Sequence, residues 1–162
     1  MNEFVNQYEY TPQIISESVG AWWRKKFRYV PPVCITMIIL LIFLFIFTKD
    51  YLYLILELCP VLLLDLYFLK IRRAIKHEQE RVETISNGSP AIIKVTLNEK
   101  IHTESSQTER HVDYSSLEDL VETENLIVLM FKGSMTIALS KTGFLKGNYR
   151  DCLTFLHQII SK

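Results

Sequence analysis

The chain has 162 residues, room for one domain or for one small domain and a membrane anchor. Its 18 Lys and Arg balance 18 Asp and Glu, and a neutral chain makes a poor nucleic-acid binder, because that binding begins with excess cations neutralising phosphate. Apolar residues reach 49% and gather in 29–69, whereas 90–162 read as an ordinary soluble domain.

Residues 1–28 form the first segment. Residues 3–10 (EFVNQYEY) alternate weakly, with Phe4, Tyr8 and Tyr10 apolar, which predicts a strand. Thr11-Pro12 is a helix start, a cap followed by proline at the first position. Ile14, Ile15, Val19, Trp22, Trp23 and Phe27 then recur at helical spacing. This amphipathic helix is expected to lie along the inner membrane face.

Residues 29–69 hold two apolar runs, 29–48 and 51–69. Each is about the ~20 residues a helix needs to cross ~30 Å of hydrocarbon. From Cys34 to Phe47 only Thr36 is polar, so the first run offers no solvent face. Lys49 and Asp50 alone separate the runs, which forces an antiparallel helical hairpin. Arg24, Lys25, Lys26 and Arg28 precede the first run; Lys70, Arg72, Arg73 and Lys76 follow the second. The positive-inside rule therefore expects a multi-pass protein with both chain ends in the cytoplasm. Cys34, Cys59 and Cys152 have no C-x-x-C spacing and suggest neither a disulfide framework nor a zinc site.

Residues 70–89 continue the second helix until Asn87-Gly88-Ser89-Pro90, a cluster of breakers. In 90–162 the period changes to that of strands. Ala91–Leu97, Lys100–Glu104, Glu109–Tyr114, a segment around Leu117, Leu120 and Val121, Leu126–Phe131 and Met135–Leu139 read as short antiparallel strands. Ser105, Ser106, Gln107 and Thr108 form a loop, and Lys132-Gly133-Ser134 a hairpin turn. Asn148 caps a final amphipathic helix, 149–160. Seventy residues of meander cannot form a two-sheet sandwich with full cover. The expected fold is membrane α+β: a two-helix transmembrane hairpin and a small antiparallel, pleckstrin-homology-like β-barrel closed by the terminal helix.

The order VNQYEYTPQIISESV, two-span hairpin, then YSSLEDLVETENLIVLMFKGSMTIALSKTGF resembles the YcxB-like family of small bacterial membrane proteins. Tyr114, Val121-Glu122-Thr123, the apolar Leu126–Phe131 and Ala138-Leu139-Ser140-Lys141 before Phe144 carry the likeness. Ser140 stands where that family usually has proline. The resemblance implies a pleckstrin-homology-like cytoplasmic domain on a membrane hairpin, and no reaction.

Two acids, Glu57 and Asp65, fall inside the second apolar run, where a charge costs roughly 2.5–3.5 kcal/mol on insertion scales. Asp65, near Lys70, is expected to pair with a cation such as Arg28 at the interface. Glu57 faces the level of Ile42 and Phe43, which offer no partner. It is protonated, bonded across an oligomer interface, beside a wet cavity, or displaced toward headgroups. Tyr53, Glu57, Pro60, Leu64 and Tyr67 share one helical stripe, and Pro60 frees the carbonyl of Leu56. Trp22, Trp23, Arg24, Lys25, Lys26, Arg28, Lys70, Arg72 and Arg73 are the expected lipid-headgroup contacts.

His77, His102, His111 and His157 lack metal-ligand spacing, and there is no G-x-G-x-x-G or Walker sequence. No catalytic, cofactor or metal residue is therefore assigned. The reading is a non-enzymatic membrane-anchored module that touches the bilayer and binds a protein partner or its own copy, with no nucleic acid. The alternatives are a small transport or channel subunit using Glu57, and an immunity or resistance protein.

Overall fold

Thr11 opens the first helix by accepting the Ile14 amide on its Oγ1 at 3.4 Å, with proline at the first helical position. The computed structural model describes residues 3–86, 91–105, 108–133 and 135–160. Its elements are β1 (Phe4–Glu9), α1 (Pro12–Lys26), α2 (Val30–Thr48), α3 (Leu52–Ser86), β2 (Ile92–Leu97), β3 (Ile101–Ser105), β4 (Glu109–Val112), β5 (Leu117–Glu122), β6 (Leu126–Phe131), β7 (Thr136–Ser140), β8 (Phe144–Lys146) and α4 (Tyr149–Ile160). The breaker cluster 87–90, Ser106, Gln107 and Ser134 lie outside the described residues.

The helical hairpin turns at Lys49, which adopts left-handed φ of 58°, and Asp50 Oδ1 then caps the Leu52 amide at 3.0 Å. Both helices are long and apolar enough to cross a membrane. Their apolar side chains stay largely exposed, unlike those of a soluble core helix: Ile39, Phe43, Phe47, Leu58 and Leu62 are among them. At 35 residues, α3 is ~52 Å long, which exceeds a ~30 Å hydrocarbon core by several turns. The helix also packs on α1.

The expected single bent barrel is not what forms. The strands make two antiparallel sheets, β4-β3-β2-β1-β8 and β5-β6-β7, and they do not close into a barrel. Two additions make this possible. The strand before the hairpin, β1, enters the larger sheet between β2 and β8, with Phe4 opposite Leu97 and Glu9 opposite Ile92. The short strand β8, absent from the expected set, lies along its other side.

The core lies between the sheets and beneath α1. Val95, Leu97, Ile101, Leu126, Ile127, Val128, Leu129 and Leu139 are fully buried. β6 is buried at all six positions, so both its faces are covered, and α1 packs against it. The most buried residues of α1 are Ile15, Ser18 and Ala21, and the helix packs on β6 and α3. The helix is held at Glu17, which accepts hydrogen bonds from the Asn125 amide at 2.9 Å and the Asn125 side chain at 3.1 Å. Partial burial pushes the Glu17 carboxyl up, but hydrogen bonds from Thr123 and Asn125, with Lys141 nearby, outweigh it and hold the group below its ordinary value.

One end of the core is closed by α4. Cys152 and Leu156 are fully buried, and the Phe155 ring lies 5.7 Å from Phe4 and 5.8 Å from Tyr114. Burial pushes the Cys152 thiol up to about 12. The opposite end faces α1 and α3.

Candidate functional site

The stripe Tyr53, Glu57, Pro60, Leu64 and Tyr67 is the inward edge of α3. Pro60 and Tyr67 are buried and the other three half-buried, while their neighbours along the helix are exposed. In the apolar stretch the element packed on α3 is α2, so the stripe is helix–helix packing. Glu57 sits in it with no hydrogen bond or ion pair among the described residues. Asp65 lies off the stripe and exposed. The ion pair expected for it does not form among the described residues. The Arg28 guanidinium instead donates to the Tyr29 hydroxyl and lies 4.6 Å from that ring, a neighbour one residue away that needs no reach across helices.

The flanking cations divide by what they touch. Lys25 makes an ion pair with Asp119 at 2.8 Å, tying α1 to β5, and Lys26 lies 4.5 Å over the Trp22 ring. Trp23 stacks on Phe27 at 4.8 Å. Arg24 shares a surface groove with Tyr67, Phe68 and Ile71 of α3, so the two basic flanks meet at one level. Lys70, Arg72 and Arg73 are exposed on α3 and form no ion pair among the described residues. Arg24, Arg28, Lys70, Arg72 and Arg73 thus make a collar where the apolar helices end.

A cavity of about 490 Å³ opens at the end of the sheets away from α4. Tyr8, Ile93, Thr103 and Ile137 line it from the two sheets; Trp22, Trp23, Glu78 and Arg81 line it from α1 and α3. The helices on its rim are the ones that lead into the apolar hairpin. The Thr103 hydroxyl is buried there without a hydrogen-bond partner, an uncommon state for a buried polar atom. Arg110 reaches the same cavity and has no ion pair among the described residues, whereas Arg81 is held by Glu78 at 2.7 Å. Burial, then the charge of Glu78, raises the Tyr10 hydroxyl above its ordinary value, so it stays a neutral donor. Its lining offers apolar surface beside an unpartnered hydroxyl and a guanidinium, and among the described residues no nucleophile there is paired with a base.

On the outer face of the larger sheet, cross-strand pairing gathers residues that are distant in spacing. His102 stands opposite His111, and Glu104 opposite Glu109. The imidazole centroids are 4.4 Å apart and the two Nδ1 atoms 3.1 Å apart. Glu109 Oε1 lies 3.3 Å from His102 Nε2 and 3.7 Å from His111 Nε2. Spacing rules along one helix miss this group. The signal that finds it is the hairpin itself: strands at Lys100–Glu104 and Glu109–Tyr114 around a four-residue loop pair 104 with 109 and therefore 102 with 111.

Comparison with family models, with curated proteins and with solved structures gives no match for this chain.

Proposed function

We propose that the protein is a non-enzymatic, membrane-anchored interaction module. The α2–α3 hairpin sits in a bacterial inner membrane with both chain ends in the cytoplasm, and the two-sheet unit binds a protein partner or a second copy there. The observation that carries this reading is the pairing of β1 with β2 and β8. Segments from before and after the hairpin belong to one sheet, so they must lie on the same side of any membrane the hairpin crosses. The cationic collar favours the cytoplasmic side. The cavity, with its unpartnered Thr103 hydroxyl and unpaired Arg110, then opens beside the bilayer and offers a partner's acidic, partly apolar segment a place to dock. The order of antiparallel strands followed by a closing helix is in keeping with the pleckstrin-homology-like and YcxB-like kinship that the sequence suggests.

Photo-crosslinking amino acids at Thr103 and Arg110, in the full chain in cells, test this. A protein adduct, either foreign or a second copy, is expected from these positions. Reaction with lipid alone, or with nothing, would remove the proposal.

The unpartnered Glu57 favours a second reading, a transport or channel subunit assembled from several copies. On that reading Glu57→Gln changes ion flux in vesicles while the chain folds normally. Unchanged flux leaves Glu57 a packing residue.

A further inference from the structure

We propose that His102, Glu109 and His111 form a binding site for a divalent metal ion of the zinc class. The site is independent of the interaction module proposed above, because it uses the outer face of the sheet rather than the cavity.

Strand geometry brings the three donors to one face. Glu109 and His111 are two residues apart on β4 and so point the same way, and His102 is the residue directly opposite His111 on β3. One donor atom from each of the three lies within 4.8 Å of the others. A tetrahedral ion with bonds of ~2.0–2.1 Å holds its donors ~3.3 Å apart. The observed 3.3 Å and 3.7 Å from Glu109 Oε1 to the two Nε2 atoms already approach that spacing. Closing on an ion requires the three donors to draw together from within 4.8 Å of one another, with one further adjustment. Nitrogens bound through Nε2 leave a proton on each Nδ1, and the two Nδ1 atoms now face each other at 3.1 Å. One ring must turn. His111, 63% exposed, has the room to do so.

Two imidazoles and a carboxylate select zinc, nickel or copper over magnesium and calcium, which prefer oxygen donors throughout. The local charge agrees. Lys94, on the adjoining strand, is engaged by Glu104 at 3.6 Å, and Arg110 lines the cavity on the other face. With three protein donors and exposed surroundings, the fourth position is open to water or to a side chain from another molecule. Bound metal ties the edge strand β4 to β3.

Titration of metal-stripped full chain in detergent with Zn²⁺, in competition with a chromophoric chelator, tests the site. Wild type is expected to take up one ion that His102→Ala and His111→Ala each weaken by about tenfold or more, with a smaller loss for Glu109→Gln. His77→Ala, on α3, is expected to leave uptake unchanged. These side chains lie on the outer face, so circular dichroism of the variants should match wild type. Copper loading gives a second readout, an electron paramagnetic resonance spectrum with coupling to two nitrogens that falls to one in His111→Ala. Equal zinc uptake by wild type and the His102→Ala, His111→Ala double variant, or a copper spectrum indifferent to these changes, overturns the proposal.

Discussion

Asn6 is fully buried on β1, and its amide serves the free edge of β7 as a neighbouring strand would. Its Nδ2 donates to the Ser140 carbonyl at 2.7 Å and its Oδ1 accepts the Ser140 amide at 3.0 Å. Tyr8 extends the same seam, its hydroxyl donating to the Ala138 carbonyl at 2.8 Å. Two side chains therefore join the two sheets where no backbone ladder does. The Asn6–Ser140 pair requires an N–H at position 140, which serine supplies and proline would not. Asn6→Ala orphans a buried donor and a buried acceptor together, at roughly 1–3 kcal/mol for each. Thermal unfolding of the full chain in detergent should show a midpoint lower by several degrees. An unchanged midpoint would mean that water replaces the amide and that the seam is not what holds the sheets together.

At the scale of elements, a backbone-to-backbone approach leaves no room for a side chain where the chain entering β8 meets β1. A Cβ placed on Gly143 would stand 2.5 Å from the Gln7 carbonyl oxygen, which is backbone and cannot turn aside. The Gly143 carbonyl accepts the Gln7 amide at 2.8 Å, so the strands cannot part without losing that bond. Gly143→Ala should destabilise the fold by about 1–3 kcal/mol, the usual range for forced overpacking. Full stability in the same unfolding assay would contradict the approach of these strands. Most elements were legible in the sequence because each carries its own period. LIVLMF reads as a strand wherever it is placed, and Thr11-Pro12 and Asn148 mark helix starts by local chemistry; the Asn148 Oδ1 accepts the Asp151 amide at 2.9 Å. β8 was not legible, since three residues, Phe144–Lys146, carry no alternation. Nor was the face of α1. Its Trp and Ile pattern suits lipid and protein equally, and only the neighbouring β6, buried on both faces, decides between them.

For the whole molecule, the decisive contact is long-range. β1 and β2 pair across the entire helical hairpin, a loop whose closure no local pattern announces. The sequence suggests one barrel from 90–162, to which the weak N-terminal strand could add because both ends lie on one side of the membrane; the strand does join, but in one of two sheets rather than in a barrel. The same closure makes the hairpin and the two-sheet unit one body rather than a domain on a tether: α1 packs on β6 and on α3, and the collar of Arg24, Arg28, Lys70, Arg72 and Arg73 marks where apolar helix gives way to folded domain. Placement of the cavity beside the bilayer follows from this geometry once the hairpin is inserted.

Insertion with the folded unit inside the cell is measured most directly by a membrane-impermeant maleimide on Lys49→Cys and Glu104→Cys variants, with Cys34 and Cys59 replaced. Cys152 can remain, because its thiol is buried and pushed up to about 12. Intact spheroplasts should label position 49, in the turn, and leave position 104, on the outer face of the sheet, unlabelled until the membrane is opened. Labelling of position 104 in intact spheroplasts, or protection of both positions until lysis, would contradict the account.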